Sequence, residues 1–170
     1  MAEIQDRSLN LIFRGIKELQ SEDVEERKRS DTQGVVVVAQ CAGIDRDVFQ
    51  KAMVAVRRLG KREEGKQYRP LLVRLTSQEL REQLLRRNKS LRKVNEKEGS
   101  RYRIDPDLTQ EQKAKLDDLW ETARKKTAEA KNGVKYFVIG KENPRLRSEK
   151  VEQEREESSL DHGTSAEGGS

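Results

Sequence analysis

One cysteine, one histidine and three prolines are spread over 170 residues, and aromatic side chains make up only 4% of the chain. A lone Cys41 excludes an internal disulfide, and with a lone His162 it cannot complete a four-ligand zinc site. His162 falls in what reads as a polar tail, so no histidine-dependent acid–base or nucleophilic arrangement is expected. No apolar run approaches the roughly 20 residues that a membrane helix needs. The acidic start MAEIQD does not read as a signal peptide. No membrane partner is therefore expected, and the expected setting is cytoplasmic, nuclear or both.

Charge is what the chain has in quantity: 39% of its residues are Asp, Glu, Lys or Arg, against an apolar fraction of 32%. Its distribution is uneven. Residues 1–56 carry a net −2, residues 57–103 hold 16 basic and 6 acidic side chains for a net +10, and residues 104–170 carry a net −3. A basic middle between acidic flanks is the electrostatic footprint expected for a polyanion partner.

Hydrophobic patterning predicts an α+β chain. SLNLIFRGI (8–16) alternates as a strand, with Leu9, Leu11 and Phe13 on one side and Asn10, Ile12 and Arg14 on the other. A helix is expected over 21–44, starting near Asp23, with Val24, Lys28, Asp31, Val35, Val38 and Ala42 on one face. AMVAVRRLG (52–60) and RPLLVRLT (69–76) read as two further strands. Thr76-Ser-Gln-Glu79 has the spacing of a capping box and predicts a helix to about Leu91, with Leu80, Leu84 and Leu91 inward. RKVNEKEGS reads as a polar loop and RYRID (101–105) as a fourth strand, with Arg101 and Arg103 outward. Thr109-Gln-Glu-Gln112 predicts a second box, opening a long helix to about Lys131 with Leu116, Leu119, Trp120 and Ala123 as its core stripe. KYFVIG (135–140) closes the pattern as a short strand. From Ser148 onward seven acids, two bases and a Gly/Ser finish predict a disordered tail. The order β-α-β-β-α-β is a split β-α-β arrangement, an antiparallel sheet with helices on one face and the other face open. The expected divisions are an extension at 1–7, a sheet domain at 8–106, a helix–strand subdomain at 107–147 and the tail at 148–170.

GKREEGKQ (60–67) nearly spells a nucleotide-binding phosphate loop. Such a loop runs into a helix whose free N–H groups help hold the phosphates. Here a strand containing Pro70 follows, and Gln67 stands where the magnesium-ligating Ser or Thr belongs. The segment is read as an exposed basic turn. Asp105-Pro-Asp107 and Asp117-Asp118 are better explained by helix capping and a solvated face than by paired catalytic carboxylates. No cofactor and no enzymatic chemistry are expected.

The remaining candidates are cations. Arg14, Arg57 or Arg58, Arg74, Arg101 and Arg103 are expected to point outward from the four strands, and Lys61, Arg62, Lys66 and Arg69 belong to the turn. Guanidinium forks bind phosphate bidentately and stack on bases, a combination suited to single-stranded nucleic acid.

LNLIFRGI, RRLGKREEGKQYRPLLVRLTS and YRIDPDLTQEQ together resemble the RNA-recognition-motif-like domain of first-open-reading-frame proteins from LINE-type non-LTR retrotransposons, over about residues 8–141. The resemblance implies an RRM-like sheet and a partner of single-stranded RNA or DNA, chiefly RNA, with chaperone-like strand exchange in a retrotransposon ribonucleoprotein. It makes Arg58, Lys61, Arg62, Arg69 and Arg74 the leading phosphate contacts, backed by Arg101 and Arg103. Residues 109–141 match in place the small C-terminal domain that helps clamp the strand. Ordinary RNA-recognition motifs stack bases on aromatics of the first and third strands; the matching positions here hold Ile12, Pro70 and Leu72. That family's upstream coiled coil has no counterpart before Ser8, so avidity from trimers is not expected of this chain, whether it is a fragment or a stand-alone relative. The competing expectation is a protein-interaction module on the same fold, acting as a homo-oligomer or with another protein.

Overall fold

A computed structural model describes residues 7–151. They form two compact units: the described residues up to Lys115 with 141–143, and Leu116–Gly140 with the described residues from Pro144 onward. The first unit contains β1 (Asn10–Arg14), α1 (Val24–Cys41), α2 (Arg46–Ala52), β2 (Met53–Arg58), β3 (Leu71–Leu75), α3 (Gln78–Arg86), α4 (Asn88–Glu98) and β4 (Arg103–Pro106). Its four strands make one antiparallel sheet in the order β2-β3-β1-β4. Each helical connection therefore passes over a strand, since β3 lies between β1 and β2 and β1 lies between β3 and β4.

The period-two pattern builds one face of this sheet. Leu11 pairs with Val73, and Phe13 pairs with both Leu71 and Ile104; all five are fully buried. The helices close over them with Val35, Val38, Phe49, Leu84 and Leu91, and the Phe13 and Phe49 rings meet in a tilted contact at 6.1 Å. Each such side chain contributes about 1.5–3 kcal/mol by leaving water.

Along α1, Val35, Val36 and Val38 are buried while Val37 is 42% exposed, a helical rather than an alternating pattern. The expected inner face holds at Asp31, Val35, Val38 and Ala42, whereas Val24 and Lys28 are exposed in the first turns. Asp23 caps this helix, its carboxylate accepting from the amides of Glu25 and Glu26 at 2.8 and 3.3 Å.

Three expectations for this unit change. Ser77, not Thr76, caps α3 by accepting from the Leu80 amide at 3.1 Å. The helix breaks at Arg87 and resumes as α4 to Glu98, so most of RKVNEKEGS is helical rather than loop. On the face away from the helices, Asn10 and Ile12 are buried at 6% exposure each, so the centre of that face is not the open surface the sequence suggested.

Helix α5 (Gln110–Glu129) begins in the first unit and continues in the second. Its capping box is complete: the Thr109 hydroxyl accepts from the Gln112 amide at 3.2 Å, and the Gln112 side chain accepts from the Thr109 amide at 2.9 Å. In the second unit β5 (Val134–Ile139) pairs with β6 (Arg145–Lys150) as an antiparallel hairpin. The Thr127 hydroxyl accepts from the Tyr136 amide at 2.8 Å and ties α5 to β5. β6 was not expected; with Val151, whose amide donates to the Gly133 carbonyl at 2.8 Å, it takes residues 148–151 out of the predicted tail, and residues 152–170, like 1–6, lie outside the described residues. Trp120, expected in the core stripe, is 41% exposed, because the buried contact of that stripe narrows to Ala123. No helix among the described residues is long and apolar enough to cross a membrane.

Candidate nucleic-acid interface

GKREEGKQ joins β2 to β3, two antiparallel neighbours, and leads into no helix. Its glycines take positive φ, 78° at Gly60 and 81° at Gly65, and the Lys66 amide donates to the Glu63 carbonyl at 3.2 Å across a tight turn. Lys61, Arg62 and Lys66 are exposed on it. Lys66 pairs with Glu63 at 2.5 Å, and Arg62 donates to the Ser21 carbonyl at 3.5 Å.

Two of the expected phosphate contacts, Arg58 and Arg69, are largely buried and paired with carboxylates. Arg58 turns toward the helices: its Nε and Nη2 donate to Asp31 at 3.0 and 2.6 Å, and its remaining N–H groups reach the carbonyls of Ile16, Lys17 and Arg69. Its side chain is 6% exposed. Arg57, the next residue back, takes the outward position opposite Leu72 and is exposed. Arg69 grips Glu18 with two N–H groups and donates a third to the Gly60 carbonyl at 2.7 Å, closing the base of the turn. The Arg69 hydrogen bond and charge hold the Glu18 carboxyl below its ordinary range against the opposing effect of burial. All five N–H groups of Arg58 and each of the three nitrogens of Arg69 are engaged within the fold.

At the opposite edge, Arg14 and Arg103 stand directly across from each other on β1 and β4. Two cations so placed repel, and Asp105 relieves them. It accepts from Arg14 Nε at 3.0 Å and Arg103 Nε at 2.7 Å, and it also pairs with Lys141. Burial pushes the Asp105 carboxyl up, but the Lys141 hydrogen bond and the surrounding cations outweigh it and hold the group below its ordinary range. Three cations around one carboxylate leave a positive surface. Arg74 lies half-buried on β3 opposite Ala55, on the same sheet face as Arg57. Arg101, expected in β4, precedes it in the α4–β4 loop and is exposed.

Two adjoining grooves flank this edge of the first unit. One, of about 670 Å³, lies between the α4–β4 loop and the residues after β1 together with Tyr68, with Lys17, Tyr68, Arg101 and Tyr102 on its walls and Glu98 as its carboxylate. The other, of about 540 Å³, shares Arg101 and Tyr102 and adds Arg92, Arg103 and Lys141. The structure thus gathers Arg101 and Arg103 with Lys17, Arg92 and Lys141, which sequence reasoning did not single out. It leaves Arg57 and Arg74 elsewhere, on the sheet face.

Sequence reasoning also missed Arg81, whose side chain is 1% exposed although it stands in the basic middle of the chain. It donates to the Asn10 carbonyl at 3.1 Å and pairs with Glu142. No sequence signal marks such an arginine, because Glu142 lies 61 residues away. No protein-family model matches the chain, and no curated protein matches it.

Proposed function

We propose that this chain binds single-stranded nucleic acid, chiefly RNA, through phosphate contacts, and that its first unit is an RRM-like βαββαβ domain of the kind found in LINE-type retrotransposon first-open-reading-frame proteins. The sheet order β2-β3-β1-β4 with two helical crossovers supports the fold reading. The observation that carries the functional reading is the set of exposed cations in the basic middle of the chain, Lys61, Arg62, Lys66, Arg101 and Arg103, which stand apart from the largely buried Arg58, Arg69 and Arg81. Exposed positive charge is accessible to a polyanion, including Lys66 and Arg103, whose carboxylate partners leave them open to solvent. No acid–base pair or nucleophile is assigned, and the chain acts as a binder or strand-exchange chaperone rather than as an enzyme.

Binding of a labelled oligouridylate across a salt series tests this. Affinity falls steeply with salt if phosphates are the ligand. Absence of binding at low salt contradicts the reading. A second reading, a protein-interaction module, is favoured by one observation: Trp120 is 41% exposed on α5, and exposed tryptophans are common anchors in protein interfaces. Trp120→Ala distinguishes the two, since it weakens capture of a protein partner and leaves the salt dependence of oligouridylate binding intact.

A further inference from the structure

We propose that the groove between Tyr68 and the α4–β4 loop seats one base of the strand against Tyr68, with the adjacent phosphates on Lys17 and Arg101 and the backbone running on past Arg92, Arg103 and Lys141. This rests on the single-strand reading above and places the strand at a definite edge of the first unit.

The sheet itself cannot supply the stacking platform. Ile12 carries no ring and is buried, and Leu72 carries no ring. Phe13 and Phe49 are fully enclosed in the core. Tyr68, at 59% exposure, is the one exposed aromatic among the described residues of the first unit, and it stands on the groove wall with the half-buried Tyr102. A groove of about 670 Å³ lies within the usual size of small-ligand sites, roughly 300–1,000 Å³, so a base with part of its sugar fits there. Base-on-aromatic stacking beside basic side chains is how single strands are held without regard to sequence.

The chemistry of the second groove explains the continuation. Asn88 and Asn95, the amides on its wall, are spent on the backbone: Asn88 bonds both the carbonyl and the amide of Ile104, and Asn95 bonds both those of Tyr102. Neither is left to read base edges, while Arg92 stands exposed on the wall and Arg103 and Lys141, which share Asp105, remain about half exposed there to meet phosphate. The track therefore recognises a phosphodiester backbone with one stacked base and carries little sequence preference. Gly15 fixes its shape. A β-carbon there would lie 2.2 Å from the Arg101 carbonyl oxygen, so only glycine lets the end of β1 support the loop that carries Arg101.

The test compares two polyanions, a labelled oligouridylate and inorganic polyphosphate, the second having no bases. Tyr68→Ala weakens oligouridylate binding roughly fivefold or more, keeps the salt slope, and leaves polyphosphate binding unchanged; Tyr68→Phe retains the parent affinity. Arg101→Ala weakens both ligands and lowers the salt slope by about one unit. A 4-thiouridine strand crosslinks on irradiation to the peptide containing Tyr68. The groove is overturned, with single-strand binding intact, if the parent binds oligouridylate and Tyr68→Ala binds it equally well, or if crosslinks form only elsewhere. It falls together with the functional reading if the parent binds neither polyanion at low salt. Tyr68-dependent binding of an acidic peptide in preference to oligouridylate also overturns it, in favour of a protein partner.

Discussion

The chemistry of this molecule turns on which arginines are spent inside it. Arg58 satisfies Asp31, a carboxylate that is itself buried, and three backbone carbonyls. Arg58→Ala strands that carboxylate and is expected to cost about 3–5 kcal/mol of stability in a denaturant titration. Arg58→Lys recovers only part of the loss, because an ammonium cannot span the same fork of acceptors. Glu18 and Asp105 are both held below their ordinary values by their cations. Such groups add stability that is fully present above the unfolded-chain values, about 4.3 for Glu and 3.9 for Asp, and that is lost as pH falls through the lower folded values. Acid titration of the unfolding midpoint shows this as a falling limb below about pH 4, and Glu18→Gln flattens it. These pairs also explain why reading the basic middle as one surface overshot. The acids that neutralise it come from outside it: Asp31 lies 27 residues from Arg58, Glu18 lies 51 from Arg69, and Glu142 lies 61 from Arg81. A local count of acids cannot see partners that only the fold brings near.

Elements follow their local signals where burial and capping agree. The alternation of β1 and β3 and the Thr109 capping box were legible, because each combines a hydrophobic period or cap with a partner inside the fold. The part of helix α4 beyond Leu91 was not, since none of its residues is fully buried and a mostly solvated helix spells like a loop. Strand β6, RLRSEK, is exposed at five of its six positions and leaves no hydrophobic alternation to read. Helix α2 has only seven residues, too few for a period to declare itself, although its cap, Asp45, accepts from the amides of Asp47 and Val48. The connections make a sharper prediction. Gly65→Ala meets open space and bears only the positive-φ strain, about 1–2 kcal/mol. Gly15→Ala adds a backbone collision with residue 101 to a φ of +84° and is expected to destabilise considerably more. Thermal unfolding of the two variants side by side checks the order.

At the scale of the whole molecule, the chain divides its cations between an inner set that holds the first unit together and an outer set that faces solvent. A chain with 36 basic side chains on 170 residues has enough for both, and the net +5 understates the local charge of residues 57–103, which hold 16 basic and 6 acidic side chains. Mutations in the two sets should separate cleanly, the inner ones moving stability and the outer ones moving ligand affinity. The most direct measurement is the slope of log affinity for oligouridylate against log salt, for the parent chain and for the combined Lys61→Ala, Arg62→Ala and Arg101→Ala variant. Steep salt dependence is expected in the parent, and a slope smaller by about three in the variant with its unfolding midpoint unchanged. No parent binding at low salt, or an unaltered slope in a folded variant, would contradict it.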